Sequence, residues 1–187
     1  VALVIGNSAY DENPLTNPTR DASAVADLFG CLGYDVTKLT DLNGQRFRDA
    51  VSTFAEKIQK GDWVAFYYSG HGVQGQDLQT RQDVNYFLPI DNEEIVSEAD
   101  LASFAIRMNW VRESVFERQP AFGLFLIDAC RSNPMVGLPG TKGTGTKGLG
   151  RVVPLLEEIV QFATQPGDVA EEGDSNGNSP YVVALRS

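Results

Sequence analysis

Residues 61–72 read GDWVAFYYSGHG, and residues 121–132 read AFGLFLIDACRS. Each holds an apolar run of strand length, Trp63–Tyr68 and Phe122–Ile127, closed by small or polar residues before it reaches the length of a helix. A run that is apolar at every position is the pattern of a strand covered on both faces, as in a parallel sheet. In such sheets chemistry collects beyond the carboxyl ends of the strands. The first run leads to His71, the only histidine in 187 residues, and the second to Cys130, one of two cysteines. A thiol and an imidazole delivered by two buried strands are a candidate nucleophile and base. Gly70 and Gly72 leave room around the histidine for a substrate backbone. Taken singly, each residue also reads as an ordinary buried side chain; their shared position at strand ends is what joins them.

Working outward, Val1–Ile5 is a further buried strand closed by Gly6-Asn7, and 7–19 form a loop above its end. From Asp21 the apolar positions Ala22, Val25, Ala26, Leu28, Phe29 and Leu32 recur at helical spacing, with Gly33 as the stop. Tyr34–Leu39 reads as a strand. Asn43 caps a second helix whose face is Phe47, Val51, Phe54, Ala55 and Ile58. Residues 73–83 read as a polar loop, and 84–88 as a short extra strand or edge hairpin. Residues 107–118 carry a helical stripe of Trp110, Val111, Val115 and Phe116, and 158–163 give a fifth main strand. The alternation of strand and helix predicts an α/β fold with a mainly parallel sheet and right-handed crossovers.

With 42% hydrophobic residues the chain can bury a core, and its length suits one domain. Fifteen basic against 25 acidic residues give a net charge of −10, which disfavours a nucleic-acid partner and suits a basic peptide. Two cysteines without CxxC spacing argue against a disulfide framework and a zinc site, and Cys31 reads as a small apolar filler near a helix end. No run approaches the roughly 18 apolar residues of a membrane helix. No secretory signal opens the chain, so a cytoplasmic location is expected.

YYSGHG at 67–72 and LIDACRS at 126–132 resemble the histidine and cysteine signatures of caspase-like cysteine peptidases. Caspases carry QAC[RQG]G with the histidine about 50 residues upstream; here DACRS follows His71 by 59 positions. ALVIGNSAY, LTNPTRDA and LGYDVTKLTDL are similar to the opening of metacaspases, paracaspases and their bacterial relatives, and FATQPGDVA and NSPYVVAL to their later segments. The resemblance implies a three-layer sandwich with helices on both faces of the sheet. It also implies Cys130 as nucleophile, His71 as general acid/base, and the backbone N–H groups of Gly72 and Cys130 as the oxyanion hole. Where caspases have the glutamine of their aspartate-binding pocket, this chain has Asp128. Metacaspases and paracaspases, which cut after Arg or Lys, are similar in having an acid there. Their second pocket acid matches Asp21, their pocket serine Ser69, and Asp168 is a third acidic candidate. Asp21 also fits a plain helix N-terminal acid favoured by the macrodipole.

The Gly-rich stretch 137–150 fails both the dinucleotide and P-loop patterns by context and spacing. It reads as an exposed linker. Lys142, Lys147 and Arg151 make it a candidate self-processing region, with the bonds after Lys147 and Arg151 favoured. The expected organisation is a single peptidase domain: a large-subunit-like part (1–136), the linker (137–151), and the start of a small-subunit-like part (152–187), cut short within a helix that opens at Ser179-Pro180. Some metacaspases require calcium, but 73–91 supplies only the spaced Asp77, Asp83 and Asp91, so no metal and no cofactor are expected. The expected partner is a peptide or protein with a basic residue at the cleavage site, met by a monomer or weak dimer. A catalytically silent scaffold used for binding or assembly is the alternative function. A legumain- or gingipain-like peptidase is the alternative family.

Overall fold

The computed structural model describes residues 1–77, 80–130, 149, 152–153, 155, 157–163 and 177–187, with Cys130 described by its backbone. In chain order the elements are β1 (Ala2–Gly6), α1 (Pro18–Cys31), β2 (Val36–Thr40), α2 (Gly44–Lys57), β3 (Trp63–Gln76) and β4 (Asp83–Phe87). A short 3₁₀ turn (Glu98–Asp100) leads into α3 (Leu101–Phe104), β5 (Ile106–Arg107), α4 (Met108–Phe116), β6 (Phe122–Cys130), β7 (Glu158–Phe162) and α5 (Pro180–Leu185). Strands β2, β1, β3, β6 and β7 lie side by side in that order, all parallel.

Helices cover both faces, and the alternation of side chains along each strand divides them. On one face Ala2, Val4, Ala65, Tyr67 and Leu126 pack with Ala22, Val25 and Phe29 of α1 and Val182 of α5. On the other, Leu3, Ile5, Phe66, Tyr68, Phe125 and Ile127 pack with Phe47, Val51 and Phe54 of α2 and Val111 and Val115 of α4. Asn43 caps α2 as its sequence predicts, its side chain accepting the Arg46 N–H at 2.9 Å. The expected three-layer α/β sandwich is therefore the observed one.

Five local expectations are corrected. The stretch 73–76 is strand: β3 runs on past its apolar run and turns back through β4 as an antiparallel hairpin, which also pairs with β5. Its polar residues suit a ribbon with one covered side, where Val73 and Tyr86 join Leu88, Ile95 and Leu101 in a small third core. Helix α1 starts at Pro18, since a proline with fixed φ and no N–H fits a first helical turn. Leu32 lies beyond the helix and is exposed, and Cys31, the last helical residue, is exposed too and fills no gap. Leu149, inside the stretch read as an exposed linker, is buried in the core beneath α2 and α4.

One buried ion pair ties the far edge of the sheet to its helix layer. Arg112 on α4 donates from Nε and Nη2 to the two carboxylate oxygens of Glu158, at 2.6 and 2.5 Å, and also to the Val153 carbonyl. Glu158 in turn accepts the Leu155 N–H. Removing one partner leaves the other charge buried and unpaired, which costs about 3–5 kcal/mol. Arg112→Ala should lower the unfolding free energy in urea by that amount with an unchanged m-value. A loss under 1 kcal/mol would mean that water replaces the guanidinium.

Candidate active site

The parallel pairing of β3 and β6 sets His71 opposite Cys130 and Ser69 opposite Asp128 in register. Neighbouring strands lie about 4.8 Å apart, so the sheet alone brings the two candidate catalytic positions together across 59 residues of chain. His71 is buried. Its Nε2 lies 2.8 Å from the carbonyl oxygen of Asn13, in the β1–α1 loop. A carbonyl only accepts, so Nε2 carries the proton, and in the neutral ring Nδ1 is the basic nitrogen. Asn13 reaches this position with φ of +56°, a left-handed turn that asparagine tolerates.

That loop is held firmly at its β1 end. Asn7 is fully buried; its side-chain oxygen accepts the Leu42 N–H at 3.0 Å, and its Nδ2 reaches the carbonyls of Leu42 and Leu88. Asp41 accepts the N–H groups of Ser8 and Ala9 at 2.8 and 2.9 Å.

Gly72 follows His71 as β3 enters the hairpin and stands opposite Phe87 of β4. The Leu88 N–H donates to the His71 carbonyl, which makes Gly72–Phe87 a non-hydrogen-bonded pair and leaves the Gly72 N–H out of the β4 ladder. A Cβ at Gly72 would come within 3.1 Å of Ala129 and of Leu149, so glycine is also what lets these side chains close over the strand.

Two acids, linked through Ser179, are buried at the same end of the sheet. Asp21 is 1% exposed and Asp128 6% exposed, and Ser69 is buried with them. Asp21 Oδ1 accepts from the Ser179 N–H at 2.9 Å and from Asn178 Nδ2 at 2.8 Å. Asp128 Oδ2 accepts from the Ser179 hydroxyl at 2.7 Å and from the Tyr67 hydroxyl at 3.2 Å. Neither acid is paired with a cation among the described residues. Burial above all, with the Asp21 charge, pushes the Asp128 carboxyl up to about 6 against the opposing hydrogen bonds of Ser179 and Tyr67. Burial and the Asp128 charge also raise the phenols of Tyr67 and Tyr181. Asp21 Oδ2 and the Tyr181 hydroxyl are buried without a hydrogen-bond partner among the described residues. An unpaired buried acceptor costs about 1–3 kcal/mol.

The structure thus gathers His71, Gly72, Cys130, Ser69, Asp21 and Asp128 at one end of the sheet. Asp168, Lys142, Lys147 and Arg151 lie outside the described residues. Ser179 and Tyr67 hold the buried acids, a contact that sequence reasoning did not assign: Ser179 was legible only as a helix start, and Tyr67 only as core. Of the acids in 73–91, Asp77 pairs with Arg107, and Asp91 accepts the Gly44 N–H at the start of α2. Among the described residues no three His, Cys, Asp or Glu side chains cluster as metal ligands, and no helix is long and apolar enough to cross a membrane.

A parallel sheet between two helix layers, with a histidine and a cysteine in register on neighbouring strands, defines a caspase-like protein. Comparison with known families agrees: the caspase-domain profile matches residues 1–187, and the chain belongs to that family of peptidases. Human mucosa-associated lymphoid tissue lymphoma translocation protein 1 is 29% identical over 132 residues, covering 70% of this chain and 15% of that protein. Metacaspase-1 of Lodderomyces elongisporus is 26% identical over 191 residues, covering 94% and 42%. The chain therefore spans less than half the length of these curated relatives. Among solved structures, caspase-1 from Spodoptera frugiperda has a TM-score of 0.65 at 16% identity, over 99% of this chain and 66% of that one. A structural-genomics protein from Geobacter sulfurreducens has a TM-score of 0.54 at 22% identity, over 73% and 52%. At these identities the structural likeness speaks for the fold alone.

Proposed function

We propose that this chain is a cysteine endopeptidase that cuts after Arg or Lys. The observation that carries the reading is the pair of buried acids, Asp21 and Asp128, without a cation among the described residues and beside the register pair His71–Cys130. In a closed pocket two carboxylates pair with a guanidinium or ammonium and reject an acidic side chain, which would be buried against like charge.

In the proposed mechanism Nδ1 of His71 takes the thiol proton of Cys130, and the sulfur attacks the scissile carbonyl carbon. The N–H groups of Gly72 and Cys130 hold the oxygen as it gains charge. Collapse breaks the C–N bond, and the imidazolium returns its proton to the leaving amine. Water, deprotonated by the same nitrogen, then hydrolyses the thioester and restores the thiol. Ser69 lines the pocket, and Asp168 is retained as a third acidic candidate.

The same specificity directed at its own chain places self-cleavage after Lys147 or Arg151, with Lys142 the lesser site. Cleavage there would separate a large-subunit-like part (1–136) from the segment beginning at 152. The test is a panel of matched fluorogenic peptides ending in Arg, Lys and Asp, each with calcium and with a chelator. Release from Arg and Lys alone, equal in both conditions, is expected. Release from Asp would overturn the pocket. Silence toward all three, with no labelling by a thiol-directed peptide inhibitor, would favour the binding scaffold.

A further inference from the structure

In an antiparallel ladder two residues of a hydrogen-bonded pair exchange both bonds, N–H to C=O in each direction. His71 and Leu88 stand at such a position, one step beyond the Gly72–Phe87 pair, and half of the exchange is present: the Leu88 N–H donates to the His71 carbonyl at 3.0 Å. The other half is interrupted. The His71 N–H donates instead to the hydroxyl of Tyr10 at 2.9 Å, and that hydroxyl donates on to the Leu88 carbonyl at 3.1 Å. A phenol from the β1–α1 loop is inserted into the ladder at the histidine.

The same tyrosine is buried, and its ring packs on the imidazole with centroids 4.4 Å apart and planes tilted by 50°. Tyr68 completes the arrangement, its hydroxyl 2.8 Å from the His71 carbonyl and 3.2 Å from the Tyr10 hydroxyl. Space for both phenols depends on Gly70, which has φ of +155° and whose Cβ would stand 2.6 and 2.7 Å from the two hydroxyl oxygens.

We propose that Tyr10 is a positioning residue for His71: its hydroxyl bridges the strands at that point and its ring sets the tilt of the imidazole, so that Nε2 meets the Asn13 carbonyl and Nδ1 is left as the base. The proposal rests on the peptidase reading for its kinetic consequence. Its structural consequence stands without it. Backbone, ring face and ring nitrogen of His71 are then all placed by one loop, and rotation about the side chain's own bonds is blocked by a buried neighbour.

Because His71 is the only histidine, its imidazole nitrogens give the only such signals in a ¹⁵N spectrum of the whole chain. The wild-type ring is expected to show a single tautomer protonated on Nε2. Tyr10→Phe, which keeps the ring and deletes the bridge, should broaden or average the two nitrogens. It should also lower kcat about tenfold with KM within twofold, a part of the 10²–10⁴ that a positioned acid/base supplies. Active sites counted by a covalent peptide inhibitor should be unchanged.

An unaltered tautomer with an unaltered kcat would overturn the proposal, as would a loss of kcat matched by a loss of countable sites. If Tyr10→Phe does not fold, Gly70→Ala tests the same bridge by displacing both phenols, and an unchanged imidazole spectrum there would overturn it. If the wild type turns over no peptide, the spectra still decide the positioning role, and it is the peptidase reading that fails.

Discussion

Cys130→Ala is expected to reduce turnover of Arg and Lys peptides by at least about 10³-fold while the protein keeps its thermal midpoint and secondary structure. The loss is large because nucleophile and base act as a unit: without the sulfur there is no acyl-enzyme, and what remains is substrate binding plus the oxyanion donors. His71→Ala should give a loss of similar size, and the double variant little more, since each alone already removes the covalent route. The same substitution should keep the chain full-length under conditions in which wild type is cut in 137–151. Measured by single-turnover kinetics and intact mass, an active Cys130→Ala protein would refute the assignment. A processed but peptide-inactive one would move self-cleavage to another protease.

Asp128→Asn is expected to lower kcat/KM for Arg and Lys peptides by about 10²–10³-fold, within the 2–5 kcal/mol that removing one partner of a buried charge pair costs. The effect should fall mainly on KM, because on the proposed reading Asp128 meets the substrate's basic side chain and not the reacting atoms. Stability should move the other way. The folded-state pKa of Asp128, about 6, is raised above its ordinary value near 3.8. The native state therefore holds the proton more tightly, and stability falls as pH rises from about 4 to about 6. Above that window the ionised carboxylate costs roughly 2–3 kcal/mol at 1.4 kcal/mol per pKa unit, and asparagine avoids this cost. A variant that loses basic substrates and melts higher at pH 7 is the expected result. An unchanged KM for Arg peptides would remove Asp128 from the pocket.

The main sheet was legible because buried parallel strands are written as unbroken apolar runs, and Trp63–Tyr68 and Phe122–Ile127 are such runs. Helix α2 was legible by cap and stripe together. The hairpin was not: Gln74, Gly75 and Gln76 carry no alternation, and their strand conformation comes from the β4 partner. The register of His71 with Cys130 was legible because each follows a buried strand, although either residue alone reads as an ordinary buried side chain. The buried acid pair was readable only in part. Asp21 and Asp128 stand out as acids, but the groups that hold them, Ser179 and Tyr67, act through distances of 158 and 61 residues along the chain, and nothing local marks such a contact. Tyr10 and Asn13 were hidden for the same reason, in a loop whose composition said only that it was a loop. Arg112 was hidden by its helix, where an arginine reads as solvent-facing.

Ser179 joins what would otherwise be separate events. Its hydroxyl donates to Asp128 and accepts the Val182 N–H that starts α5, while its own N–H holds Asp21. The three parts of this knot leave the ribosome in order: Asp21 early, Asp128 after two thirds of the chain, Ser179 near the end of the present sequence. The helix cap and the two buried acids are therefore tied to one side chain, and on the proposed reading the choice of a basic side chain depends on that tie. On that reading, losing the Ser179 hydroxyl would loosen the start of α5 and the hold on Asp128 at once.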